Sequence, residues 1–140
     1  MRLWHKDLIP VLPRQQLLGQ WRECCLIAKN IAEKGTPNHL LVNKIMDYSM
    51  WHFCWYAKEI SDEMKKRNYK VNDNNFDKWI DWSFELKDSA DISHENLFSG
   101  WHNERYLIQC LMNLQEKYDC GGISEEEWIK VSSIIKEVSK

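Results

Sequence analysis

Glu23 is the residue of this sequence best placed for acid–base chemistry. Residues 13–34 repeat apolar side chains at helical spacing, and at about 100° per residue Glu23 falls on the edge of that apolar arc. Gln16 lies two turns below it on nearly the same line. Gly19 lies one turn below, so the surface beside the carboxylate has no side chain of its own. Gln15 and Arg22 share the neighbouring polar face. A half-buried carboxylate beside a gap, flanked by an arginine and amides, is what a general acid/base acting on a bound sugar requires. A solvated glutamate at the rim of an amphipathic helix has the same spacing, so spacing alone does not separate the two readings.

The other chemically competent residues are scattered. The histidines at 5, 39, 52, 94 and 102 contain no His-x-x-x-His or His-Asp pair, so no metal centre is expected. The five cysteines lack a Cys-x-x-Cys spacing, and the vicinal pair Cys24–Cys25 cannot easily bridge within a helix. They read as reduced core thiols of a reducing compartment, and no cofactor is indicated. His102-x-Glu104 at a helix start could approach the first helix in support of the site but better fits a capping or surface role, and Lys65-Lys66-Arg67 a solvated helix end within reach of a phosphate. Trp4 and His5 suit either burial or stacking on a base.

The elements that must position these residues are helical. Residues 1–12 read as an irregular arm, because Pro10 and Pro13 discourage helix before the first long element. That helix is predicted over 13–34, with Leu17, Leu18, Trp21, Cys24, Cys25, Ala28, Ile31 and Ala32 on its apolar arc and Gly35 as its stop. A short helix is expected over about 38–46. A longer one over about 49–67 carries the stripe Phe53, Ala57, Ile60 and Met64, widened by Trp51, Cys54 and Trp55. Residues 74–86 suggest a short helix around Trp79 and Trp82, and 87–100 a long connection of the kind that often carries function. Helix returns over about 102–119, with Leu107, Cys110, Leu111, Leu114 and Tyr118 inward. The capping box Ser124–Glu127 then starts a last helix with Trp128, Val131, Ile135 and Val138 on one side. No alternating β-branched run suggests a sheet. The expected fold is all-α, a single compact domain over 1–140 with about four to six helices and the arm packed near the first long one.

Composition fits this class. The chain has 140 residues, of which 44% are hydrophobic, with a mean hydropathy of −0.60. No apolar run approaches the roughly 20 residues of a membrane span. Arg2, His5, Lys6 and Asp7 interrupt any signal-peptide core, so a cytoplasmic protein is expected. The net charge of −2 and pI of about 6.2 exclude a strongly basic nucleic-acid binder but leave room for a local basic patch. Most of the eight tryptophans are expected in the core.

Met1-Arg2-Leu3 followed by Leu12, Gln15, Leu17 and Arg22-Glu23 resembles the active-site segment of the pyrimidine-dimer DNA glycosylase/abasic-site lyases of the phage endonuclease type. A second, weaker match is Glu63-x-x-x-Arg67-Asn68-Tyr69-x-Val71, which is similar to the family's acidic helix closing on Arg-Gly-aromatic. The segment from Met1 to Cys24 also looks like a bacterial branch of that family, whereas the rest of the chain resembles it only in size and helical organisation. The resemblance implies a DNA repair enzyme acting on damaged double-stranded DNA. Its nucleophile is the α-amino group of the first residue, with a glutamate on the first helix as partner. The amine attacks deoxyribose C1′, the base leaves as an imine forms, and β-elimination breaks the strand.

Carried onto this sequence, Met1 and Glu23 are the catalytic pair, and Arg2, Gln15, Gln16 and Arg22 the substrate- or DNA-binding positions. Arg2 matches the arginine that follows the family's nucleophilic residue, and a one-residue offset between positions 4 and 8 keeps both Arg2 and Glu23 in register. The bulk of Arg2 blocks removal of the initiator, so Met1 is expected to be retained. An α-amine suits this chemistry: with a pKa near 7.7–8.0, roughly a fifth is unprotonated at about pH 7.4, against about 0.1% for a lysine near 10.4. Two departures bear on DNA binding. Leu26 stands where the family's first helix supplies a further arginine, and residues 124–140 replace a basic aromatic tail with SEEEWIKVSSIIKEVSK. Fewer cations imply weaker duplex binding with less salt dependence. Two other readings stay open, a non-catalytic helical nucleic-acid or protein-binding module and an amine-based enzyme acting on another substrate.

Overall fold

The structure, a computed structural model, describes the backbone of residues 1–87 and 91–138 and the side chains as far as residue 135. All regular structure among the described residues is helical. The order is a 3-10 segment Lys6–Val11, α1 (Arg14–Lys34), a 3-10 segment Asn43–Asp47, α2 (Met50–Lys66), α3 (Asn74–Asp77), α4 (Trp82–Leu86), α5 (Glu104–Asp119) and α6 (Glu125–Val138). None of these helices is long and apolar enough to cross a membrane.

α1 stops at Gly35, which takes φ 75° and returns its N–H to the Ile31 carbonyl at 2.9 Å. α2 stops at Asn68 (φ 67°): its N–H reaches the Lys65 carbonyl and the Tyr69 N–H the Met64 carbonyl, both at 2.9 Å. α6 starts on the expected capping box, where Glu127 N–H donates to Ser124 Oγ at 3.1 Å and Ser124 N–H to Glu127 Oε1 at 3.3 Å. Two elements are broken where the sequence suggested continuity. Residues 38–46 yield only the 3-10 segment Asn43–Asp47, and residues 74–86 divide into α3 and α4 at Ile80-Asp81, where Asp81 caps α4 by accepting the Phe84 N–H.

One hydrophobic core joins the elements. Phe53, Ala57, Ile60 and Met64 of α2 pack against Leu17, Trp21, Cys24 and Ala28 of α1, and Leu107, Cys110, Leu111 and Leu114 of α5 close it. Ala32, expected on the α1 arc, is exposed, while Leu18, Cys25 and Ile31 sit at the margin. Tyr118 and Trp128 stack at 5.0 Å and seal α5 to α6. The place of Val138 in the α6 stripe, like residues 88–90 of the long connection, lies outside what is described.

The arm is irregular only over residues 1–5 and at Leu12. Residues 6–11 form a 3-10 helix that contains Pro10, stabilised by tertiary partners that local propensity does not reveal. The Asp7 N–H donates to His5 Nδ1 at 3.1 Å at its start. At its end Arg67 donates to the carbonyls of Leu12 (2.7 Å), Pro10 (3.1 Å) and Ile9 (3.3 Å), while its Nε holds Glu63 at 2.8 Å. The basic end of α2 is therefore only partly a solvated cap, since its arginine clamps the arm.

Candidate active site

The arm is laid along α1 by its apolar residues, and the register is fixed by one polar side chain. Leu3, Trp4, Leu8 and Leu12 are buried, as is Gln20, only 1% exposed on the apolar arc of α1. Gln20 Oε1 accepts the Trp4 N–H at 2.7 Å, and its Nε2 donates to the Arg2 carbonyl at 2.9 Å and to Glu23 Oε2 at 3.2 Å. The amide orientation follows from partners with a single role, because a backbone N–H only donates and a carbonyl only accepts. The Tyr56 hydroxyl, fully buried on α2, donates its proton to the nearer Trp4 carbonyl (2.6 Å) and lies 2.9 Å from Gln20 Oε1. On the other side, the Tyr106 hydroxyl of α5 donates to the Leu3 carbonyl at 2.6 Å. Residues 2–4 are thus held by side chains from three helices.

This clamp places the start of the chain beside Glu23, which is half-buried. Burial pushes the Glu23 pKa above the usual carboxylate value. The Met1 ammonium, a hydrogen bond from the Arg2 backbone, His39 and Arg22 oppose that rise without cancelling it. Met1 and Glu23 make no direct ion pair. Arg2 turns back along the arm, its guanidinium 5.3 Å from the Trp4 ring centroid and 3.9 Å from Cys110 Sγ. The open position at Gly19 is faced by the Arg22 guanidinium, 3.8 Å from where a Cβ would stand. A carboxylate held near an α-amine, with its proton affinity raised, can take and return protons on a substrate that reaches both.

The remaining expected site residues divide. Arg22 is exposed and shares a shallow pocket with Leu26, Lys29, Lys78 and Trp79, where Lys78 and Lys29 lie 5.5 and 5.9 Å from the Trp79 ring centroid. Arg2 and Lys44 border a second cavity on the other side. Lys29, Lys44 and Lys78 were not singled out in the sequence; for the last two, helical spacing does not show where the 3-10 segment Asn43–Asp47 and the end of α3 place their cations. Gln15 and Gln16 are not gathered around Glu23. They line a separate groove of about 770 Å³ between the starts of α1 and α6 and the end of α2, with Arg14, Lys66, Arg67 and Lys130. Gln20 and Tyr56, which hold the arm beside Glu23, were not singled out in the sequence. The available signal was a glutamine inside an otherwise apolar arc.

Two of the histidines, His5 and His102, are buried in the core. His5 is 2% and His102 6% exposed, Trp4 is buried beside them, and His102 Nδ1 accepts the Lys6 N–H at 2.9 Å. His102 therefore has no surface role; Asn103 caps α5 instead, accepting the Tyr106 N–H. His94, in the long connection, lies 2.6 Å from Glu59 and 2.9 Å from Asp7, a tertiary pair absent from the sequence spacing. Among the described residues no group of histidine, cysteine and carboxylate side chains could hold a metal ion, and all five cysteines are free.

Burial, with the charges of His5, Lys6 and His94 adding to it, pushes the His102 pKa down to about 2. A histidine near 6.5 in the unfolded chain takes a proton below that pH which the native state refuses, so stability is lost as pH falls through 6.5. At about 1.4 kcal/mol per pH unit, the penalty at pH 5 is about 2 kcal/mol. His94 shifts the other way, since Asp7 and Glu59 outweigh the opposing effect of its burial. Its contribution is complete below 6.5 and fades as pH rises through its raised value, so it adds no slope between pH 5 and 6.5. Glu23 and Glu59, both raised by burial, gain protons on acidification and offset part of the loss. The clean readout is the difference between wild type and His102→Gln, which keeps an acceptor for Lys6 but does not titrate. Urea unfolding at pH 7 and pH 5 should show wild type losing about 2 kcal/mol more than the variant over that interval. Parallel losses would assign the acid sensitivity elsewhere.

The family model described as pyrimidine dimer DNA glycosylase matches residues 1–77, which run from the arm through α1 and α2 to α3. No curated protein and no solved structure matches the chain. The matched stretch is more than half of the sequence and contains Gln20, Glu23 and Tyr56 together with the segment they hold. From its matched sequence and the helices that stretch forms, the chain belongs to the pyrimidine dimer DNA glycosylase family.

Proposed function

We propose that the protein is a DNA repair glycosylase with abasic-site lyase activity, in which the Met1 α-amine is the nucleophile and Glu23 the acid/base. The observation that carries this reading is the Gln20 side chain, bonded to both the Arg2 carbonyl and Glu23 Oε2, which keeps the first residues against the carboxylate. The amine lone pair attacks deoxyribose C1′, and the glycosidic C1′–N bond breaks with its electrons leaving on the base, which gains a proton. As the imine forms, the ring oxygen leaves C1′ with the C1′–O4′ pair and takes a proton. Loss of a C2′ proton then expels the 3′ phosphate, and water hydrolyses the imine to restore the amine. Glu23 receives and returns these protons.

Damaged double-stranded DNA fits the face around Glu23. Arg22, next to Glu23 in sequence, shares one pocket with Lys29 and Lys78, and Arg2, whose backbone bonds Glu23, shares another with Lys44, so local groups of cations support this reading on a chain of net charge −2.

The test is covalent trapping. Protein whose N-terminus has been verified by mass spectrometry is incubated with duplex carrying an abasic site or a pyrimidine dimer, with borohydride present to reduce the imine. An adduct mapped to residue 1 is expected. A free N-terminus that never traps would end the lyase reading in favour of a binding module. Trapping on free nucleosides but not on duplex would instead indicate an amine enzyme with another substrate.

A further inference from the structure

Residue 39 is held beside Glu23 by both ends of its turn. Asn30 stands two turns beyond Glu23 on nearly the same line of α1, and its Nδ2 donates to the carbonyl of buried Pro37 at 3.2 Å. The turn therefore starts on the α1 stripe that carries Glu23. Asn38 takes φ 59° and redirects the chain, its N–H donating to Thr36 Oγ1 at 3.2 Å. The His39 N–H then donates to Asn43 Oδ1 at 3.1 Å, and its carbonyl accepts the N–H groups of Val42 at 3.1 Å and Asn43 at 2.9 Å. Val42 and Ile45 anchor the other end in the core.

The ring is fixed as well. His39 Nδ1 accepts the Leu41 N–H at 3.3 Å. A backbone N–H only donates, so in the neutral imidazole the ring proton sits on Nε2, a donor that the turn's own bonds do not use. The half-buried ring lies close enough to Glu23 for its charge to act on the carboxylate, ahead of the guanidinium of Arg22 next to it in sequence. Glu23 thus has an α-amine on one side and an N–H donor of fixed tautomer on another.

We propose that His39 is a third catalytic residue of this site, its Nε2–H donating to the 3′ phosphate as the C3′–O3′ bond breaks. The proposal rests on the lyase reading above and supplies its elimination step with a donor. Glu23 takes the C2′ proton, the freed pair forms the C2′=C3′ bond, and the C3′–O3′ pair leaves on the phosphate. The ring keeps its proton and stabilises the charge by hydrogen bonding alone. Leu40 and Leu41, the next residues of the turn, border the cavity that Arg2 and Lys44 also line, so cations stand close to the same phosphate.

The test follows duplex with a preformed abasic site in single turnover and reads intact and cleaved strand in the borohydride-trapped adduct. His39→Asn keeps an acceptor for the Leu41 N–H, as in an Asx turn, but places no donor where Nε2 stood. It should retain the wild-type melting temperature and trap at the wild-type rate. Its adduct should carry mostly intact strand, with elimination slowed roughly 10²-fold, the loss on removing one donor to developing negative charge. His39→Gln, whose longer side chain returns an N–H near the Nε2 position, should recover most of the cleavage. The ratio of cleaved to intact adduct is independent of how much protein is folded, so a destabilised variant still decides. Folded His39→Asn that cleaves at the wild-type rate overturns the proposal. So does His39→Asn that traps and cleaves equally slowly, which places the residue before elimination, or His39→Gln no faster than His39→Asn. Wild type that never traps ends the lyase reading and this proposal with it, whereas wild type that traps beside variants that cleave normally ends only the proposal.

Discussion

Glu23→Gln is expected to slow strand cleavage at an abasic site by roughly 10²–10⁴-fold, the range that positioned acid–base catalysis contributes. The fold should be no less stable. Glutamine has the shape of the glutamate and still offers an oxygen to Gln20 Nε2, now 3.2 Å from the carboxylate, and to the Arg2 backbone. The stability sign follows from the direction of the pKa. Burial raises the Glu23 value in the folded chain, so between its ordinary and raised values the native state holds a proton that the unfolded state has released. Stability falls as pH rises through that window, and a neutral amide removes the fall. Single-turnover cleavage and urea unfolding on the same preparations separate the two effects. Borohydride trapping should persist at a reduced rate, since the amine is intact. Cleavage at the wild-type rate would remove Glu23 from the chemistry.

Gln20→Ala should damage both the fold and the reaction. Truncation leaves the buried Trp4 N–H and the Arg2 carbonyl without partners, at roughly 1–3 kcal/mol for each orphaned group, so a loss of about 2–6 kcal/mol is expected. Tyr56 continues to hold the Trp4 carbonyl, so the arm should loosen at residues 1–2 rather than detach. Gln20 does not touch the reacting atoms in the proposed mechanism; it positions the groups that do. Its loss should therefore lower kcat by about a hundredfold, the effect of misplacing a reacting pair by roughly an ångström, with KM little changed. Gln20→Glu discriminates further. It keeps an acceptor for the Trp4 N–H, but replaces the donor to Arg2 with a second carboxylate beside Glu23. That variant should recover activity as pH falls and one of the paired carboxyls takes a proton. A destabilised Gln20→Ala with unchanged kcat would leave Gln20 a purely structural residue.

The acidic balance of the chain and its basic face are compatible because charge acts locally. At physiological ionic strength fields decay over about 8 Å, so in the proposed reading the cations at Arg22, Lys29 and Lys78 would act on a phosphate backbone with little influence from distant carboxylates. Lys29 and Lys78 share a shallow pocket with Leu26, the position at which the resemblance implies a further arginine.

The helices, their caps and the candidate carboxylate were legible in the sequence because they depend on near neighbours. Apolar spacing marked α1, α2 and α5, Gly35 and Asn68 marked the stops, and Ser124–Glu127 marked a start. Glu23 could be selected because its place on α1 is fixed by residues a few positions away. What only the tertiary structure decided depends on partners far along the chain. The arm folds as a 3-10 helix because Arg67 caps it from across the core. His94 gains two carboxylates from elements 87 and 35 residues away. Gln15 and Gln16 face another groove although they share a helix with Glu23. Glu23, named first from its spacing, thus acquired its neighbours from the fold: Gln20, which lies on the apolar arc of α1, is polar and buried because four backbone and side-chain partners meet there. Periodicity sets which face a side chain takes, and only packing determines what that face meets.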